Sequence, residues 1–153
     1  MGFFNRRKSG PARTKKMLRY FPIDAGISFR CSASTLIGID WGINHLSADF
    51  LLPDDETHAL RVYFDRSTIV RLLDEMPLST ETDFENCEGL VNEHFAYRVE
   101  GAVFAETQSE TWKELEGHVT HYQFITGWGC MDVLSSAHPS FEVVKREPER
   151  EAS

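Results

Sequence analysis

The clearest signal along the chain is an alternation of apolar and polar positions. A period of two puts every second side chain on one face of a β-strand. From His45 to Leu52, Leu46, Ala48 and Phe50 share one face, and Ser47, Asp49 and Leu51 the other. The cluster Pro53-Asp54-Asp55-Glu56-Thr57 breaks the run. Alternation resumes from Ala59 to Phe64, with Leu60, Val62 and Phe64 inward and Arg61 and Tyr63 outward. Two such runs around a turn-forming cluster predict a hairpin.

Weaker runs flank it. Residues 27–31 read as a short strand, and residues 35–39 form a second apolar run before Trp41-Gly42. Residues 68–76 admit two readings. Ile69, Leu72, Leu73 and Met76 fall at helical spacing, which suits a helix ending before Pro77, whereas the β-branched run Thr68-Ile69-Val70 suits a strand. The strand is favoured. Residues 74–93 are acidic and turn-rich, with Phe84 and Leu90 as their apolar anchors. Residues 95–104 alternate strongly around Gly101, a glycine that predicts a bulge or a close backbone approach. Thr107-x-x-Glu110 has capping-box spacing and predicts a short helix closed by Gly117. Strands follow over residues 119–125, 130–134 and 141–144, the first two joined through Gly127-Trp128-Gly129.

The sum is seven or eight short strands and one short helix. Close strand–turn spacing argues against βαβ units. The expected fold is α+β, mainly β: an antiparallel sheet, a sandwich or a partly open barrel. Residues 1–18 read as a flexible basic arm, residues 19–144 as one globular β-rich domain and residues 145–153 as a charged tail.

Composition agrees with a folded chain. Of 153 residues, 41% are hydrophobic and 12% aromatic, which excludes a mostly disordered protein. No apolar run approaches the roughly 18 residues of a membrane span. The net charge of −8 conceals an asymmetry. Residues 1–19 hold seven bases and no acid, while residues 20–153 hold nine bases and all 24 acids. The arm lacks the apolar stretch of a secretory signal, and Met17 is an alternative start. Seven positive charges in a short span make residues 1–19 a candidate nucleic-acid or anionic-surface contact. The three cysteines, Cys31, Cys87 and Cys130, are odd in number and widely spaced, which points to a reducing, cytoplasmic setting.

Candidate chemistry is sparse. His118-x-x-His121 is the one paired imidazole motif, and a strand turns its two rings to opposite faces, so no metal and no cofactor is expected. Cys130, Asp132 and His121 can meet across a hairpin, and a Cys–His pair can activate a thiolate. Yet no basic cluster or oxyanion-forming turn accompanies them, and catalytic residues are assigned to none. Trp128 in its turn is either folded onto the sheet or a binding anchor. Asp83, Glu85 and Glu88 lack the oxygen spacing of a calcium loop and read as an acidic surface that steers a basic partner.

Three stretches carry a resemblance: Arg61-Val62-Tyr63-Phe64, Val70-Arg71-Leu72-Leu73-Asp74-Glu75, and His121-Tyr122-Gln123-Phe124-Ile125-Thr126 with Met131-Asp132-Val133-Leu134-Ser135. Their order resembles a loose set of small β-rich bacterial proteins, some of them of the toxin-immunity class. The resemblance implies a binding role without catalysis. The expectation is therefore a non-catalytic domain that binds a basic protein partner through Trp128, Asp83, Glu85 and Glu88. Two alternatives stand beside it: a small cysteine-dependent enzyme using Cys130 and His121, and nucleic-acid binding through the arm.

Overall fold

The two alternating runs that stand out in the sequence form the centre of one sheet. β3 (His45–Leu51) and β4 (His58–Phe64) pair antiparallel, with Leu46 opposite Phe64, Ala48 opposite Val62 and Phe50 opposite Leu60. All six side chains are buried, as their spacing predicts. β2 (Leu36–Gly42) and β10 (Ser140–Lys145) complete a four-stranded sheet in the order β10-β4-β3-β2. The computed structural model describes residues 17–66 and 69–147.

A second sheet has six strands: β5 (Ile69–Asp74), β9 (Gly129–Ser135), β8 (Thr120–Phe124), β7 (Ala96–Glu100), β1 (Leu18–Pro22) and β6 (Cys87–Glu88), in that spatial order. Every pairing in it is antiparallel except that of β1 with β6. The two sheets share one core. Phe124 on β8 meets the rings of Phe50, Phe64, Phe95 and Phe141 at centroid distances of 5.5 to 6.3 Å. The fold is thus mainly β, with two sheets and no closed barrel.

Three short helices complete the described residues: α1 (Glu75–Glu81), α2 (Val103–Glu106) and α3 (Glu110–Glu116). The first of them leaves β5 at the sheet edge and packs against β5 and β9 on the face of the six-stranded sheet that points away from the core. Its Leu78 is buried there.

Several local expectations need correction. Of the stretch read over 68–76, residue 68 lies outside the described residues, Ile69–Asp74 is strand β5, and helix α1 then begins; Pro77 sits in its first turn, where its missing N–H costs nothing. The anchors of the acidic stretch are not Phe84 and Leu90, which are exposed, but Leu78, because the helix turns that residue onto the sheet. Residues 27–31 form no strand; Asp24 caps the Gly26 N–H in a turn, and Cys31 opens a 3-10 turn. The strand over 95–104 ends at Glu100, and α2 follows. Gly101 does mark a close approach: its φ is +87°, and a Cβ there would lie 2.6 Å from the Met17 carbonyl oxygen. Thr107 does not cap the next helix. Its hydroxyl donates to the Val103 carbonyl of α2, and Ser109 caps α3 by accepting the Trp112 N–H at 3.2 Å. Gly117, with φ +84°, closes that helix as expected. The helices number three rather than one because these spans are short and rest on tertiary contacts. Residues 1–16 of the basic arm and 148–153 of the tail lie outside the described residues.

Phe124→Ala removes the ring that four others contact. It is expected to lower stability by about 3–5 kcal/mol. Ile43→Ser, at a turn position 94% exposed, is expected to stay within about 0.5 kcal/mol. Urea unfolding of both variants checks the contrast.

Candidate functional site: a buried carboxylate network beneath the first helix

The outer face of the six-stranded sheet carries the polar residues of its central strands. The registers place Gln123 opposite Asp132, and Asp132 opposite Arg71. His121 lies two residues before Gln123 and so shares its face. All of these except Arg71 are buried, and Asp132 has no exposed surface.

A carboxylate this deep survives only if its oxygens are served. Asp132 Oδ1 accepts from His121 Nε2 at 2.7 Å and from Gln123 Nε2 at 2.9 Å. Its Oδ2 accepts from Arg71 Nη2 at 2.8 Å and Nε at 3.0 Å. Burial alone pushes the Asp132 carboxyl up. The bonds from His121 and Gln123 and the nearby Arg71 charge outweigh it and hold the group below the usual carboxylate range. Arg71 also donates to both oxygens of Glu81 at 2.9 and 3.0 Å, which ties α1 to β5. Phe104 of α2 lies over the Arg71 guanidinium, 4.3 Å from ring centroid to Cζ, and meets His121 edge-on.

Two atoms of this network have no partner. An ionised carboxylate only accepts, so His121 Nε2 and Gln123 Nε2 must donate. That leaves His121 Nδ1 and Gln123 Oε1 turned away from Asp132, and neither has a hydrogen-bond partner. Both residues line a cavity of about 630 Å³ under α1 and α2. Its walls also include Leu18, Tyr20, Leu78 and Val103, and its charged lining is Arg71, Glu81, Asp83 and Glu106. Burial pushes the Tyr20 phenol up to about 12, so it stays neutral there.

The residues singled out from sequence fall in separate places. Trp128 is 67% exposed in the turn between β8 and β9, and its carbonyl accepts the Glu75 N–H at the start of α1. Asp83 follows the end of α1, where it accepts from the Glu85 N–H and the Asn86 amide and lines the cavity. Glu85 sits in the 3-10 turn of residues 84–86, and Glu88 on β6 pairs with Arg19 at 2.9 Å. Helix α1 thus runs from the Trp128 turn towards the acidic group. His121 and Asp132 do meet across the hairpin, but Cys130 stays apart. Its thiol hydrogen-bonds with Thr126, and burial raises its pKa. Cys130 stands four residues from Leu134, the partner of His121, which is about 13 Å along a strand. His118 is exposed, while His121 is buried with its Nε2 on Asp132.

The network itself went unread in the sequence. Gln123 and Arg71 were visible only as polar positions of alternating strands, and nothing local told them from a solvated face.

No family model matches the chain, and neither a curated protein nor a solved structure is found to be similar to it. Among the described residues no helix is long and apolar enough to cross a membrane, and no three His, Cys, Asp or Glu side chains are grouped to hold a metal ion.

Two outcomes follow. The folded-state pKa of Asp132 lies below the unfolded value of about 3.9. Its contribution to stability is therefore full above that pH and is lost as pH falls towards the folded pKa. Asp132→Asn should remove this part of the acid limb in unfolding curves taken across that range. Asp132→Leu, which leaves Arg71 and His121 without their shared acceptor, should cost on the order of 3 kcal/mol. Thiol labelling checks the second point. Burial raises all three thiols, Cys31 to about 11, but Cys31 and Cys130 are buried where Cys87 is partly exposed, so both should react roughly tenfold or more slowly than Cys87.

Proposed function

We propose that this chain is a non-catalytic protein-binding domain that presents an acidic surface to a basic protein partner. The observation that carries the reading is the bare edge of the four-stranded sheet. Among the described residues β2 has a hydrogen-bonded neighbour strand on one side only, and it leaves Ile37, Ile39 and Trp41 exposed, with Ile43 in the turn that follows. Edge strands are normally shielded by lysine, proline or a covering segment. This one holds a single charge, Asp40, and no proline. A row of apolar side chains beside unpaired backbone groups suits the addition of a partner's strand or loop.

Trp128 extends the same side of the molecule. β2 passes the start of β9 where the Gly129 N–H donates to Thr35 Oγ1, and Trp128 directly precedes Gly129. Acidic groups stand close by. Asp40 and Asp49 lie on the outer face of the four-stranded sheet with Glu142, against one base there, Arg61, which is held by Asp49. The charge of residues 20–153 favours attraction of a basic partner over long range. The resemblance to immunity-class proteins is consistent with binding of this kind. Against the cysteine-dependent alternative stand the separation of Cys130 from His121 and the raised thiol.

Affinity capture at low ionic strength is the test. A specific basic protein should be retained, and its retention should weaken as salt rises. Trp41→Ser with Trp128→Ser should reduce binding of that protein by about tenfold or more, with the melting temperature little changed. Capture that is insensitive to both salt and the double variant would refute the reading.

A further inference from the structure

We infer that the open edge of β2 takes an extended segment of a partner protein in which apolar and basic residues alternate, the apolar ones continuing the core face and the basic ones lying towards Asp40 and Asp49. The inference rests on the edge-strand reading above and specifies the partner's sequence.

Residues opposite one another in paired strands share a face of the sheet. The register sets Ile39 beside Ala48 and Trp41 beside Leu46, so both belong to the face that carries the core. Ala48 and Leu46 are fully buried, yet Ile39 is 42% and Trp41 63% exposed. The six-stranded sheet ends in the same way: Leu72 on β5 is opposite fully buried Met131 and is itself 47% exposed. β2 starts where β5 ends, since a Cβ on Gly129, the partner of Asp74, would lie 3.3 Å from the Leu36 Cβ. Among the described residues the core is therefore uncovered along one side, at the outermost strand of each sheet. The other face of β2 is acidic. Asp40 is opposite Ser47 and Gly38 is opposite Asp49. The Asp40 side chain is 78% exposed, held at one oxygen by His45 Nε2 at 3.1 Å. The space that a Cβ on Gly38 would enter is open, so a long side chain can lie across it towards Asp49. Neither β2 nor β3 carries a lysine or arginine.

A strand added to β2 keeps a period of two. Its residues opposite Ile39 and Trp41 continue the core face, and apolar side chains there remove both from water. Its residues opposite Gly38 and Asp40 continue the outer face, where opposed Cβ atoms stand about 5 Å apart and opposite charges attract. The bulge between Leu36 and Gly38 ends the regular edge, which limits the register to residues 38–42. A second copy of this chain would bring another acidic surface, because residues 20–153 hold nine bases against 24 acids, so charge favours a basic segment of a different protein.

The test uses the full chain labelled with 15N and three fluorescent six-residue peptides: valine alternating with lysine, the same residues in two blocks, and valine alternating with glutamate. At low ionic strength the valine–lysine alternation should bind saturably and shift the backbone amides of Ile39, Asp40 and Trp41. The other two should bind about tenfold or more weakly. Asp40→Lys, at an exposed position, should invert the choice in favour of the glutamate peptide, with the melting temperature little changed. Trp41→Ser should weaken the alternating peptide by about tenfold. The inference is overturned if the block peptide binds as well as the alternating one, or if Asp40→Lys leaves the choice as it was. Where a basic protein is nonetheless captured, the reading of the chain as a binding domain stands without it. Capture that is insensitive to salt and to the Trp41 and Trp128 double variant, beside a charge choice that Asp40→Lys inverts, refutes that reading instead and supports the preference of the edge. A dimer in sedimentation that Trp41→Ser dissolves gives the edge to a second copy. Peptide binding that appears only after deletion of residues 1–16 gives it to the chain's own arm. Either result overturns the inference.

Discussion

The organisation of the outer layer depends on one carboxylate. Asp132 lies in the middle of β9 with no contact with water, and a charge in that position must be surrounded by donors or the strand cannot pack. The donors come from both neighbours: Arg71 on β5, and His121 and Gln123 on β8. Three strands are thereby pinned in one register, since a slip by one residue would turn every donor to the opposite face. Arg71 extends the tie to α1 through Glu81, and Phe104 brings α2 over the same guanidinium. One buried charge thus connects five elements, and the hydrophobic core behind it contributes no direction of this kind.

The two faces of the six-stranded sheet obey different physics. The inner face is held by apolar area and by aromatic rings around Phe124, interactions that are strong in sum and indifferent to small rotations. The outer face is held by hydrogen bonds that accept one geometry. Directional bonds leave particular atoms over when the numbers do not match, and His121 Nδ1 and Gln123 Oε1 are those atoms.

How far the sequence could be read varied with the kind of interaction. The β3–β4 hairpin was legible residue by residue, because inward Leu46, Ala48 and Phe50 and Leu60, Val62 and Phe64 alternate with polar neighbours and a proline-led turn separates them. Helix α1 was not, because seven residues containing a proline hold little intrinsic helical signal, and what stabilises them is Leu78 on the sheet and Glu81 on Arg71. The candidate site was half legible. The meeting of His121 with Asp132 follows from hairpin geometry, whereas the exclusion of Cys130 depends on where the turn through Thr126 and Gly129 fixes its thiol.

By itself, the order of residues determined the mainly β class, the inward faces of the central strands and the split between a basic start and an acidic body. These are local properties: period, turn chemistry and charge are written in adjacent positions. Tertiary structure alone decided that His121, Gln123 and Asp132 are interior. Their alternation with Tyr122, Phe124, Met131 and Val133 is the pattern of a strand with one wet face, and α1 and α2, folding across that face from distant parts of the chain, help to bury these side chains. The physical reason is that burial is a property of what lies above a residue, and no periodicity records it.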